Sequence, residues 1–379
     1  MKVVAAMDSF KGSLSSIEAG EAVREGILSF DKNAEVAVFP AADGGEGTVD
    51  AIVSVPGWET VEAVVTGPLG APVAARYGVS GTRAVIEMAA AAGLPLVPEP
   101  LRNPLNTTSF GVGELISDAV GRGCREFTVG IGGSATNDGG LGMLSALGFE
   151  FFDTSGSPAG IFGRDLCRIS RISTENVLPA LQSCRFTVAC DVKNPLCGSD
   201  GASAIYGPQK GASPDTVRLL DRSLESFARI AAKTFGRDMS HLPGAGAAGG
   251  LGWAFSAFLS GELISGIDAV LDAVGIDAAL KDADFAVTGE GRLDAQTAMG
   301  KTPAGVAARA AAHGVPVIAL GGCVSPDASA LNEKGICAFF PIIPSPCTAE
   351  KAMESQNAKE NLRRTAEQVF RLASLNNQH

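Results

Sequence analysis

Short apolar runs that stop dead at a polar or glycine-rich turn recur along the whole chain, and they constrain the fold more than any other feature. "KVVAAM" (2–7) halts at Asp8, and "EVAVFP" (35–40) halts just before "AADGGEGT". "EFTVGIGG" (126–133), "RFTVACDV" (185–192), "DFAVTGEG" (284–291), "PVIALGG" (316–322) and "AFFPII" (338–343) repeat the pattern. "ETVEAVVTG", "TRAVIEMA" and "FEFF" are further strand candidates. Between them lie stretches of helical character, such as "SSIEAGEAVREGIL", where Ser15 and Glu18 form a capping box, "GVGELISDAVGRG" and "GGLGMLSALG". "AEKAMESQNAKENLRRTAEQVFRLASL" reads as one long closing helix with a mostly solvated face. Continuous apolar strands alternating with helices predict an α/β fold with mainly parallel sheets. In such sheets ligands bind beyond the carboxyl ends of the strands. Asp8, Asp43, Gly132, Asp191 and Glu290 mark those ends.

Bulk properties narrow the function classes. The 379 residues suffice for two domains, with sequence breaks near 70–80 and 290–300. The net charge is −11 and there is no run of Lys or Arg, which argues against nucleic acid and against an anionic membrane surface as partners. An anionic substrate would need a locally positive pocket. No apolar run reaches membrane-spanning length, and "MKVVAAMDSF" is too short a run for a signal peptide. The eight Cys form no C-x-x-C pair, which predicts a cytosolic protein with reduced, structural thiols. His241, His313 and His379 are the three histidines, and none lies near a glycine-rich Cys, so a Cys–His nucleophile is not expected.

Six segments carry chemistry. "GIGGSATNDGG" (130–140) holds five glycines with Ser134, Thr136, Asn137 and Asp138 among them. Backbone that can turn freely, followed by a helix start, suits a phosphate. The segment also satisfies G-x-G-x-x-A at Gly130, Gly132 and Ala135, with Asp153 at the distance of a ribose-binding acid, which is the basis of a dinucleotide rival. Asp138 would repel a bare pyrophosphate and makes more sense beside Mg²⁺. "MDSFKGSLS" (7–15) clusters Asp8, Ser9 and Lys11 at a strand end, and Lys11 suits a phosphate or carboxylate. "ADGGEGT" (42–48) sets Asp43 and Glu46 around two glycines. "ACDVKNPLCG" (189–198) places Asp191 at a strand end as a metal ligand or general base. "TGEGRLDAQTAMGKT" (288–302) gathers Glu290, Arg292, Asp294 and Lys301; its "GKT" is not a P-loop, because residue 295 is Ala where the first glycine belongs. "PGAGAAGGLG" (243–252) contains G-x-G-x-x-G without a preceding strand and reads as a loop entering a helix.

Together these segments resemble the type 1 glycerate kinase family. The resemblance spans essentially the whole chain and rests on "DSFKGSLS", "ADGGEGT", "TGPLG", "IEMAAAAGL", "NPLNTTSFGVGELI", "GIGGSATNDGGLGMLSALG", "ACDVKNPLCG", "YGPQKGAS", "PGAGAAGGLG" and "TGEGRLDAQTAMGK". It implies ATP- and Mg²⁺-dependent phosphorylation of D-glycerate, with 2-phosphoglycerate as the expected product and the 3-isomer as the alternative. It implies two three-layer α/β domains: a flavodoxin-like one from residues 1–75 and 295–379, and an inserted one from 76–294, with the site in the cleft between them.

Phosphoryl transfer needs donors for phosphate, acids for Mg²⁺, a cation for the substrate and an acceptor for its proton. By residue chemistry and position, Gly132, Gly133, Ser134 and Asn137 are expected to take nucleotide phosphate, and Asp138 and Asp43 the metal. Asp191 is the expected base, with Asp294 second. Lys11 and Arg292 would hold the glycerate carboxylate or the moving phosphoryl group, with Asp8 and Ser9 as further substrate contacts. The expected partners are thus two small molecules, and the reading leaves room for a homo-oligomer. A non-catalytic sensor of sugar acids or nucleotides would be expected to carry a reader module such as a helix-turn-helix, and no segment reads as one.

Overall fold

The computed structural model of the protein describes residues 1–45 and 47–377; Glu46 and His379, named above, lie outside the described residues. The strands in chain order are β1 (Lys2–Met7), β2 (Glu35–Pro40), β3 (Glu59–Thr66), β4 (Pro72–Ser80), β5 (Arg83–Glu87), β6 (Glu126–Gly130) and β7 (Glu150–Phe152). They continue with β8 (Arg171–Ser173), β9 (Arg185–Ala189), β10 (Glu262–Ile264), β11 (Phe285–Leu293), β12 (Val317–Val324) and β13 (Ile336–Pro341). Contacts divide the chain into two units. One comprises Met1–Asp43, Asp50–Pro56 and Val270–His379; the other comprises Gly44–Val49 and Gly57–Ala269. These bounds differ from the 75 and 294 read off the sequence. β3 pairs along its full length with β4, so residues 59–66 join the middle sheet, and β11 pairs with β1, so 285–293 join the terminal one.

The terminal unit is built on a five-stranded sheet in the order β13-β12-β11-β1-β2, parallel throughout. This is the flavodoxin-like arrangement, in which the strand order reverses beside β1. Every residue of β1 after Lys2 is buried, as a strand covered on both faces requires. Val3, Ala5 and Met7 pack with Val23 and Ile27 of the helix Ser16–Phe30 and with Leu362 and Phe370 of the helix Ser355–Ala373. The first of these helices starts on the expected capping box: the Ser15 side chain accepts from Glu18 N–H, and the Glu18 carboxylate accepts from Ser15 N–H at 2.8 Å. The closing segment is not one helix. It breaks at Glu354, whose φ of −56° and ψ of 124° separate Ala349–Met353 from Ser355–Ala373, and five residues of the latter are buried.

The middle unit carries a six-stranded sheet in the order β10-β9-β6-β5-β4-β3, with β7 and β8 forming a separate antiparallel pair. β5, β6, β9 and β10 run parallel, while β3, β4 and β5 form an antiparallel meander. β4 was not expected from sequence: "PVAARYGVS" shows its alternation only once Ala75 and Tyr77 are seen to be buried. Aromatic side chains fill the core near the helix Leu251–Leu259, with Phe227 edge-on to Trp253 at 5.0 Å between ring centres.

Candidate active site

In the terminal unit the parallel register places Met7, the last residue of β1, opposite Gly289, so Asp8 comes beside the final stretch of β11, Glu290–Leu293, at the point where strand order reverses. A cavity of about 470 Å³ opens there. Its charged floor is Asp8, Lys11, Asp43, Glu290, Arg292, Asp294 and Lys301, with Ser9 beside them. Eight of the residues singled out from sequence (Asp8, Ser9, Lys11, Asp43, Glu290, Arg292, Asp294 and Lys301) are thus brought to one cavity from three separate stretches of chain. Apolar residues, among them Ile342, Ile343 and Met353, complete the lining. The break at Glu354 ends the short helix that supplies Met353.

Asp8 is held from two sides. Its Oδ1 accepts from Ser9 N–H at 2.6 Å and its Oδ2 from the Thr302 hydroxyl at 2.6 Å. Burial pushes its carboxyl above the ordinary range; the two hydrogen bonds oppose this, Asp43 adds to it, and Lys11 opposes it. Glu290 behaves alike. Burial raises it, while the Thr297 hydroxyl at 2.6 Å and Lys301 pull it back. Asp294 is the hub of the following turn: its Oδ1 accepts from Gln296 N–H at 2.9 Å and Thr297 N–H at 3.2 Å, and its Oδ2 lies 3.4 Å from Arg292 Nε. The "GKT" that is not a P-loop still matters here. Lys301 faces the cavity and Thr302, the first residue of the helix Thr302–Ala312, holds Asp8. Thr302 was not foreseen, because nothing in the sequence links it to a residue 294 positions away.

The middle unit gathers the other candidates. The glycine run leaves the carboxyl end of β6, and the turn at Gly44–Gly45 lies over it. A Cβ on Gly130 would fall 2.7 Å from the Gly44 carbonyl, and one on Gly44 would fall 2.8 Å from both Ala189 Cβ and Gly266 Cα. Only glycine lets these backbones approach so closely. Gly132 and Gly133 are exposed, and Gly133 has a φ of +73°. Asp191 is exposed just past β9, with Oδ1 accepting from Gly266 N–H at 2.8 Å.

Two expectations are corrected here. Asp138 is not placed to ligate a metal. It is fully buried: Oδ2 accepts from Ser109 N–H and Ser109 Oγ, both at 2.7 Å, and from Gly142 N–H at 3.2 Å, while Oδ1 accepts from Gly140 N–H at 3.2 Å. Asn137 is not placed to touch a phosphate. It is fully buried too, and its Nδ2 donates to Ser203 Oγ at 3.0 Å. The run ends at Gly140, which is the N-cap of the expected helix, Leu141–Ala146; that start lies six residues beyond Ala135, so the G-x-G-x-x-A match at Gly130, Gly132 and Ala135 does not itself open the helix as a dinucleotide fold requires. Asp153 sits in a β7–β8 turn, where Ser155 and then Arg168 pull its carboxyl down to about 2. Beneath the run lies a residue that sequence reasoning passed over, although it stands in "YGPQKGAS". Lys210 is buried, and its Nζ donates to Ser134 Oγ and to the Thr136 carbonyl, both at 2.6 Å.

Open α/β units that set carboxylates, cations and glycine turns at their strand ends define an enzyme built for small anionic ligands. A model of the glycerate kinase family matches residues 3–374, and the chain belongs to that family. It is 48% identical to the glycerate kinase of Bacillus subtilis, with 97% of each chain covered, and 44% identical to the glycerate 2-kinase of Escherichia coli, again with 97% of each covered. A crystal structure from Salmonella typhimurium LT2, provisionally named glycerate kinase 2, superposes with a TM-score of 0.91 over the full length of both chains at 44% identity.

Proposed function

We propose that this kinase transfers the γ-phosphoryl group of ATP to the 2-hydroxyl of D-glycerate with the help of Mg²⁺. The observation that carries the reading is the convergence of four carboxylates (Asp8, Asp43, Glu290 and Asp294) and three cations (Lys11, Arg292 and Lys301) in one cavity. Phosphoryl transfer is chiefly positioning and charge neutralisation, and it needs both signs of charge close together. Lys11 and Arg292 hold the glycerate carboxylate or the moving phosphoryl group, with Ser9 as a further contact. The exposed Gly132 and Gly133, with Ser134 behind them, take nucleotide phosphate. The choice of the 2-hydroxyl is supported by the relative named glycerate 2-kinase. ATP supply places the reaction in the cytoplasm.

Asp191 acts as the base that accepts the hydroxyl proton. Its exposure leaves it reachable, and Gly266 N–H holds one of its oxygens at 2.8 Å. Asp294, the second candidate, already accepts from two backbone N–H groups and faces Arg292. Among the described residues no group of three or more His, Cys, Asp or Glu side chains is set to hold a metal unaided. Mg²⁺ keeps most of its waters and takes one or two carboxylates plus substrate phosphates, so Asp43 with Asp8 or Glu290 fits its habit. When bound, the ion would neutralise phosphate charge.

A coupled ADP-release assay with D-glycerate, ATP and Mg²⁺, with the product read by phosphorus NMR, tests the proposal. ADP release with 2-phosphoglycerate is the expected result. The 3-isomer would overturn the choice of hydroxyl, and no release with either enantiomer of glycerate would overturn the reaction.

A further inference from the structure

The protein carries a net charge of −11, and from Glu126 to Gly163 there is no Lys or Arg. The glycine run therefore has no cation of its own. The fold supplies one from 76 residues away: Lys210 ends a short turn, Pro208–Lys210, and inserts its amine beneath the run. We infer that Lys210 is a positioning residue of this loop, fixing Ser134 and Thr136 from below and lending positive charge to the surface formed by Gly132 and Gly133. The inference rests on the reading that this loop takes an anionic substrate group.

The geometry separates support from contact. Lys210 is 2% exposed and its Nζ is spent on Ser134 Oγ and the Thr136 carbonyl, so it reaches substrate only through the loop. The charged group that faces it, among the described residues, is Asp138. Asp138 is itself built to be ionised: three backbone N–H groups donate to it, and Ser109 Oγ, which accepts from Met143 N–H at 3.0 Å, has its own proton left to give. Burial raises the Asp138 carboxyl above the ordinary range, and these hydrogen bonds, the Ser109 hydroxyl first, oppose it. The pair is costly to bury, and an apolar residue could fill the space of a lysine whose only task was packing. Two further polar atoms of the loop, Thr136 Oγ1 and Asn137 Oδ1, are buried without a partner among the described residues, so the loop is not optimised for stability alone. Burial lowers the Lys210 amine to about 7, with Asp138 opposing, so its charge falls away as pH rises through neutrality. As that charge falls away, the loop loses its attraction for an anion.

Sulfate is the cleanest probe, because its charge does not change between pH 6 and 8.5 (on the order of two negative charges throughout). Its inhibition constant against the substrate it competes with should rise about tenfold across that range in the native enzyme. In the neutral pair Lys210→Met with Asp138→Asn, which leaves no lone buried charge, the constant should be high and flat. The conservative Lys210→Arg should restore part of the low-pH affinity. A neutral pair that binds sulfate as tightly as the native enzyme at pH 6 overturns the inference. Gly132→Ala, where a new Cβ would meet nothing closer than 3.6 Å, marks which substrate the loop serves. If it raises the KM for ATP and the Lys210 variants do so too with kcat little changed, both readings stand. If both raise the KM for glycerate instead, the inference stands and the assignment of nucleotide phosphate to the loop falls. If Gly132→Ala moves a KM that the Lys210 variants leave alone, the inference falls.

Discussion

The two units place charge in opposite ways. The terminal unit lines an open cavity with long side chains of both signs, at the ends of strands that the parallel register aligns. The middle unit presents bare glycine backbone and keeps its cation, Lys210, and its anion, Asp138, under the surface. Lys11, Asp43 and Arg292 are exposed, so they are screened and a ligand must order them, while Asp8, Glu290 and Asp294 are held by hydrogen bonds beside them. A buried pair is fixed before any ligand arrives, but it is expensive and it titrates. The contrast suggests a division of labour: a cavity that adapts to the group that reacts, and a preformed cradle for a group that is merely held.

The sharpest way to break that comparison is Asp191, an exposed carboxylate in the unit otherwise assigned to holding. Asp191→Asn should lower kcat by about 10²–10⁴-fold with the KM values little changed, as loss of a general base does. A purely KM effect in steady-state kinetics would make Asp191 a binding residue and move all the chemistry to the terminal unit. Asp8→Asn comes next, with a loss of about 10²-fold in kcat/KM expected for removing a fixed charge at the reacting group. Stability should move the other way. Burial raises the Asp8 carboxyl, so its contribution favours the fold when protonated and is lost as pH rises through the raised value. At pH 7 the native carboxylate is therefore a cost, and thermal melts should show the Asn variant with the higher Tm, the gap closing below about pH 4.

A smaller effect probes the cradle. Gly130→Ala would drive a Cβ to 2.7 Å from the Gly44 carbonyl, and should cost about 1–3 kcal/mol in denaturant unfolding while also raising a substrate KM. Full retention of both would mean the glycine turns are not packed as rigidly as a preformed cradle requires. The smallest effect is a control on the scaffold. Ser15→Ala removes a helix cap remote in role from either region and should cost about 1 kcal/mol, with kinetics unchanged.

Much of this was legible in the sequence. The alternation of apolar runs and helices, the capping box at Ser15 and Glu18, and the strand ends at Asp8, Asp43 and Asp191 all rest on local chemistry, whereas Glu290 lies inside β11, which runs on to Leu293. The density of charge between Glu290 and Lys301 is local too, its turn being organised by Asp294 within a few residues. β4 was missed because its alternation is weak until its hairpin partner is known. Asn137 and Asp138 were read as ligands because polar side chains in a glycine run look exposed on paper.

The sequence by itself determined the class of fold and the places where ligands can approach, because hydrophobic periodicity and glycine turns act over a few residues. Which of those polar residues face solvent was decided only by tertiary structure. Burial and charge depend on what the fold brings alongside: Thr302 onto Asp8 across the chain, Ser109 onto Asp138, and Lys210 beneath Ser134. Electrostatic energy is set by distance in space and by desolvation, and neither can be counted along a sequence.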